Sequence, residues 1–104
     1  MGNVVVTTLI GAPPERVWRA LTVPAEVSAW DGVAAVAVAA DYPTVGEHAR
    51  WRTALGPLRL VLHDRISVVD PPVRFAARID VGFVHVEEEY RLAPTPDGGT
   101  ELVT

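Results

Sequence analysis

The stretch Leu58-Arg59-Leu60-Val61-Leu62-His63-Asp64-Arg65-Ile66-Ser67-Val68-Val69 alternates in character and runs into Asp70-Pro71-Pro72. Leu58, Leu60, Leu62, Ile66 and Val68 fall on one side of an extended chain, with Arg59, His63 and Arg65 on the other. A strand points successive side chains to opposite faces, so this period of two marks a long strand with one face buried. The prolines stop it, because proline lacks the N–H that a sheet ladder needs.

The same pattern extends in both directions. Upstream, Glu47 to Leu55 carries Ala49, Trp51, Thr53 and Leu55 on one side, and Gly56-Pro57 turns the chain into the next strand. Downstream, Phe75, Ala77, Ile79 and Val81 oppose Arg78 and Asp80. Past Gly82, Val84, Val86, Tyr90 and Leu92 oppose His85, Glu87, Glu89 and Arg91. Pro94-Thr95-Pro96-Asp97-Gly98-Gly99 is a strong turn signal, and Thr100 to Thr104 starts one more strand. At the other end, Asn3 to Ile10 is rich in β-branched residues and reads as a strand. A helix from Pro13 to Thr22 follows, with Val17, Trp18 and Leu21 on one face and Glu15 complementing the helix dipole. Pro24 breaks it. A short helical turn over Ala25 to Trp30 ends at Asp31-Gly32. Val33 to Ala40 is a strand candidate, although its alanines also suit a helix, and Tyr42 to Gly46 is a turn. The order predicts an α+β fold: an antiparallel meander whose apolar face two short helices are too small to cover.

The 104 residues suit one domain, and a hydrophobic fraction of 49% excludes a disordered chain. Cysteine is absent, which rules out disulfides, thiolate metal sites and a cysteine nucleophile. All nine basic residues are arginine, a usage that fits GC-rich bacterial codons. The net charge of −4 argues against nucleic acid and against anionic membranes as partners. Val4 to Ile10 is too short to span a bilayer, and Val6 stands where Met1-Gly2 would need Ser or Thr for myristoylation. These features predict a soluble cytoplasmic protein with no stable membrane insertion.

Val6-Thr7-Thr8-Leu9-Ile10, Ala12-Pro13-Pro14-Glu15-Arg16-Val17-Trp18, Leu21-Thr22, Pro24 and Trp30, taken in order, resemble the start of the START-like superfamily. That superfamily includes the polyketide cyclase/dehydrase and lipid-transport proteins and the Bet v 1 family. Ile66 to Asp70 with Pro71-Pro72, and the turn from Pro94 to Thr100, fit the same pattern. The resemblance covers nearly the whole chain and implies a single START-like domain over residues 1–104. It implies a helix-grip fold: a strongly curved antiparallel sheet with two short N-terminal helices, wrapped around a long C-terminal helix with an apolar cavity between them. This sequence ends in what would be the last strand, so the C-terminal helix is expected to be absent from this chain.

Two carboxylates, Asp64 and Glu88, sit on otherwise apolar faces. A buried carboxylate is costly unless paired or protonated, so each is a candidate polar anchor or general acid/base inside a cavity. The simpler reading, a bulge that turns the residue outward or a place near an open strand end, is favoured for both. Trp51 and Tyr90 fall on inner faces, where they serve as core or as cavity wall, and the Tyr90 hydroxyl is a weak catalytic candidate beside the two carboxylates. The resemblance places Trp30 near the cavity entrance. The expected ligand-binding set is Trp30, Trp51, Thr53, Leu62, Asp64, Phe75, Ile79, Val86, Glu88 and Tyr90. His48, His63 and His85 share the outer parity of three strands and are expected to diverge, so no metal site and no cofactor is expected.

Three functions remain: binding a hydrophobic or aromatic, lipid- or polyketide-like small molecule; a polyketide aromatase/cyclase-type enzyme; or an interaction module using the open sheet face. The uncovered apolar face predicts a cover from a second copy or another partner. Sizing at micromolar concentration checks this, and a stable monomer overturns it.

Overall fold

The computed structural model describes residues 5–104. Seven strands form one curved, unclosed antiparallel sheet: β1 (Thr7–Ile10), β2 (Ala34–Ala37), β3 (His48–Leu55), β4 (Leu58–Asp70), β5 (Arg74–Val81), β6 (Val84–Pro94) and β7 (Thr100–Val103). The strand order is β1-β7-β6-β5-β4-β3-β2, so β2 to β7 form a meander and β1 pairs with β7. Two helices, α1 (Pro14–Thr22) and α2 (Pro24–Asp31), carry the chain from one sheet edge to the other. This is the α+β architecture expected from the alternation. Of the strand expected over Asn3 to Ile10, Asn3 and Val4 lie outside the described residues, as do Met1 and Gly2. Two hydrogen bonds between Val6 and Thr104, at 3.0 and 2.9 Å, extend the β1–β7 pairing by one residue.

Pro24 does not simply end a helix; it opens the next one. The residue before a proline is pushed out of the helical region. Val23 is accordingly extended, at φ −80° and ψ 117°. Its N–H donates to the Arg19 carbonyl at 2.9 Å and closes α1, while its own carbonyl accepts from Glu26 and Val27 at 2.9 Å and starts α2. Gly32, left-handed at φ 74°, ends α2, where only a residue without a Cβ turns the chain at no steric cost.

The helices lie on the concave sheet face and produce three packed groups. Val17 of α1 packs with Leu92 and Leu102, and Val27 of α2 lies with Val33, Ala49 and Trp51. Between them Ile66, Phe75 and Ala77 are buried, with the Trp18 ring edge-on to Phe75 at 6.3 Å. One inner position was misassigned by parity. The β4–β5 register shifts between Ile66 and Val68, because Ser67 is inserted as a bulge. Val69, not Val68, therefore opposes Phe75 and joins the inner face.

The helices cover one end of the sheet only. At the other, Leu58, Val84 and Val86 keep half or more of their surface exposed, and Phe83 stands at the β5–β6 turn. No helix follows β7 among the described residues, and none is long and apolar enough to cross a membrane. The covered end is tied down by Thr100, which is fully buried and whose Oγ1 donates to the Ala12 carbonyl at 2.7 Å. Thr100→Val keeps the shape but leaves that carbonyl unpaired, so urea denaturation should show a loss of about 1–3 kcal/mol that Thr100→Ser largely restores.

Candidate functional site

Asp64 lies on β4 opposite Ala49 of β3 and Ile79 of β5, on the concave face. It is 4% exposed. The outward reading of this residue is wrong: the bulge falls three residues later, at Ser67, and leaves Asp64 in parity with Leu62 and Ile66. A buried carboxylate needs partners, and two side chains supply them. Trp51 reaches it from β3, its Nε1 donating to Oδ2 at 3.3 Å. Tyr42 reaches it from the loop after β2, its hydroxyl donating to the same oxygen at 2.7 Å. The two rings meet edge-to-face at 5.7 Å.

Tyr42 is held there by its loop. Its N–H donates to the Ala39 carbonyl at 3.1 Å, and the Thr44 N–H donates to Glu47 Oε1 at 2.8 Å. Gly46, at φ 88°, directs its N–H to the Ile66 carbonyl at 2.9 Å, and the Ile66 N–H returns to the Glu47 carbonyl at 3.0 Å. The loop is thus clamped to β4 two residues beyond Asp64. In the sequence Tyr42 reads only as part of a turn, and no local pattern marks its role. The signal available was the demand of a buried Asp64 for donors.

Burial is the main cause of a raised Asp64 pKa; the hydrogen bonds from Tyr42 and Trp51 and the charge of His48 oppose it. Tyr42 is pushed far above its ordinary range by burial first, then by the Asp64 charge and hydrogen bond, then by Glu88 and Tyr90. It therefore stays a donor. Asp64 Oδ1 is buried and has no hydrogen-bond partner among the described residues.

Asp64 sits in a small inner chamber of about 90 Å³. Of the expected set, Trp30, Trp51, Leu62, Asp64, Phe75, Ile79, Glu88 and Tyr90 line it, together with Leu21, Val27, Val33 and Tyr42. Thr53 and Val86 do not: they belong to the concave face but lie toward its uncovered hairpin end. Leu21, Trp30, Glu88 and Tyr90 also line a larger groove of about 830 Å³ between the helices, β6 and β7. Chamber and groove therefore adjoin at these four side chains. Glu88 and Tyr90 are half-buried there, and the Tyr90 ring stacks on Phe75 at 6.2 Å. Trp30 is 51% exposed, with its Nε1 donating to the Ala20 carbonyl at 2.6 Å. Arg16 and Glu26 pair at 2.5 Å on the groove wall and bridge the two helices.

Two of the histidines do not diverge as expected, because β3 and β4 are neighbours. His48 and His63 stack at 5.1 Å on adjacent β3 and β4, with Nε2 and Nδ1 3.0 Å apart. His63 lies opposite Asp80, which bonds His85 Nδ1 at 2.5 Å and is held below its usual pKa, chiefly by that bond. Among the described residues no group of three or more His, Asp or Glu side chains is arranged to hold a metal ion.

A curved, unclosed antiparallel sheet with two short N-terminal helices is the fold the resemblance implied. A family model described as "polyketide cyclase / dehydrase and lipid transport" matches residues 1–104. The chain belongs to this family. Solved structures of the same fold include three bacterial proteins. One from Rhodobacter sphaeroides is 27% identical, with a TM-score of 0.77 over 95% of this chain and 67% of that one. One from Mesorhizobium loti is 25% identical, at 0.76 over 96% and 72%. One from Chromobacterium violaceum is 19% identical, at 0.78 over 96% and 75%. No curated protein matches this chain significantly. The START-like helix-grip assignment therefore holds, and with it a fold suited to hydrophobic ligands.

The raised Asp64 pKa has a consequence for stability. The unfolded carboxyl, at its ordinary 3.8, releases its proton more readily than the folded one. Stability is thus lost as pH rises from about 4 through the folded value. Asp64→Asn lacks this titration, so thermal melts should show the variant gaining on the parent protein as pH is raised from 4 to 7. A constant difference across that range would contradict the assignment.

Proposed function

We propose that this family member binds a hydrophobic or aromatic, lipid- or polyketide-like small molecule, seated in the inner chamber and extending into the groove. The observation that carries this is that the two spaces adjoin, sharing Leu21, Trp30, Glu88 and Tyr90 as lining residues. The groove's volume falls in the range of small-molecule sites, which are mostly apolar with a few placed polar groups. Tyr42, Trp51, Phe75 and Tyr90 present ring surfaces suited to an aromatic occupant. An interaction module would need little or no cavity, so these spaces favour the ligand reading.

A second reading, an aromatase/cyclase-type enzyme, draws support from the buried Asp64 carboxyl and its bond to Tyr42. Such a group can exchange protons with a substrate during enolisation and dehydration. Turnover lost in Asp64→Asn, with an aromatic ligand still bound, would favour this reading over simple binding.

Leu21 lines both spaces, so Leu21→Trp fills the place where they adjoin without replacing the polar floor. Titration with 1-aminoanthracene, followed by its fluorescence, should show saturable binding to the parent protein and affinity lowered about tenfold or more in the variant, with unchanged circular dichroism. Absence of saturable binding to the parent protein overturns the proposal.

A further inference from the structure

We propose that Asp64 Oδ1 is an acceptor subsite through which the chamber selects apolar ligands carrying a hydroxyl donor, a phenol or an alcohol. The inference rests on the cavity-binding reading above and names the chemistry of the ligand end that reaches the chamber.

Asp64 is 4% exposed and lines the chamber. The Tyr42 hydroxyl and the Trp51 indole both donate to Oδ2, at 2.7 and 3.3 Å. An indole N–H can only donate, and the Tyr42 hydroxyl keeps its proton beside a carboxylate. The direction of both bonds is thereby set, and they hold the carboxylate in one orientation. Its other oxygen, Oδ1, is left buried and without a protein partner among the described residues. A buried acceptor in that state costs free energy, which an incoming O–H offsets. A ketone or ether oxygen, which only accepts, meets Oδ1 lone pair to lone pair. The chamber, about 90 Å³, takes roughly three water molecules' volume, enough for a hydroxyl and the ring edge that carries it, while the groove takes the rest of the ligand.

The same geometry predicts what an amide does in place of the carboxylate. In Asp64→Asn the side-chain carbonyl must face the two donors from Tyr42 and Trp51. The NH2 then falls where Oδ1 was, and the acceptor subsite becomes a donor. The preference should invert.

The test compares naphthalene, 2-naphthol, 2-methoxynaphthalene and 2-acetonaphthone by competition against bound 1-aminoanthracene at neutral pH, on the parent protein and on Asp64→Asn. For the parent protein, 2-naphthol should bind on the order of tenfold to a hundredfold tighter than 2-methoxynaphthalene. In Asp64→Asn that advantage should vanish and 2-acetonaphthone should gain. Equal binding of 2-naphthol and 2-methoxynaphthalene to the parent protein overturns this subsite while leaving the cavity reading intact. Tighter binding of 2-acetonaphthone than of 2-naphthol to the parent protein also overturns it, by showing that Oδ1 donates. A 2-naphthol preference that survives in Asp64→Asn removes Asp64 from the role. Binding by none of the four compounds overturns the cavity reading and this inference together.

Discussion

An antiparallel sheet of seven strands puts every second side chain on one concave face, and that apolar face must be removed from water. Here the covering material is two helices of nine and eight residues. They reach across one end of the sheet and leave the other open. The rest of the molecule follows from this shortage. Where the helices touch the sheet there are three buried groups, built on Val17, Val27 and Ile66. Where they stand off, between α1, α2 and β6–β7, there is the groove. Where Trp51 and Tyr42 fill part of the gap, only the small chamber remains.

The floor of that chamber is energetically unfavourable by itself. Asp64 occupies a central strand, where an apolar residue of similar size would pack without desolvating a charge. Two donors at Oδ2 offset part of the cost and none reaches Oδ1 among the described residues. Functional sites are where a protein tolerates such a cost, because a fully satisfied polar group has nothing left to offer a ligand. Tyr42 and Trp51 are positioning residues in this account: they leave one oxygen available and orient it.

Much of this was legible in the residues. The alternation in Leu58–Asp70, Arg74–Val81 and Val84–Pro94 placed the strands and their inner faces, and eight of the ten expected cavity residues line the chamber. The errors have physical causes. Val68 was assigned to the inner face because parity cannot register the bulge at Ser67. Thr53 and Val86 were included because parity tells which face a residue occupies and not how far along it the helices reach. His48 and His63 were expected to diverge although the hairpin at Gly56-Pro57 makes β3 and β4 neighbours, because parity gives the face of a side chain and not its cross-strand register. Tyr42 was missed because a loop carries no periodicity.

By itself, the sequence determined the strand periods, the helix break at Pro24 and the one-sidedness of the sheet, since these depend on side-chain alternation and on backbone restrictions that act within a few residues. Only the tertiary structure decided that Asp64 faces inward with one oxygen left without a partner among the described residues. That outcome depends on a hydroxyl brought from a loop 22 residues away in sequence and an indole brought from the neighbouring strand. Burial and hydrogen-bond satisfaction are properties of what converges in space, and no local pattern in the chain encodes them.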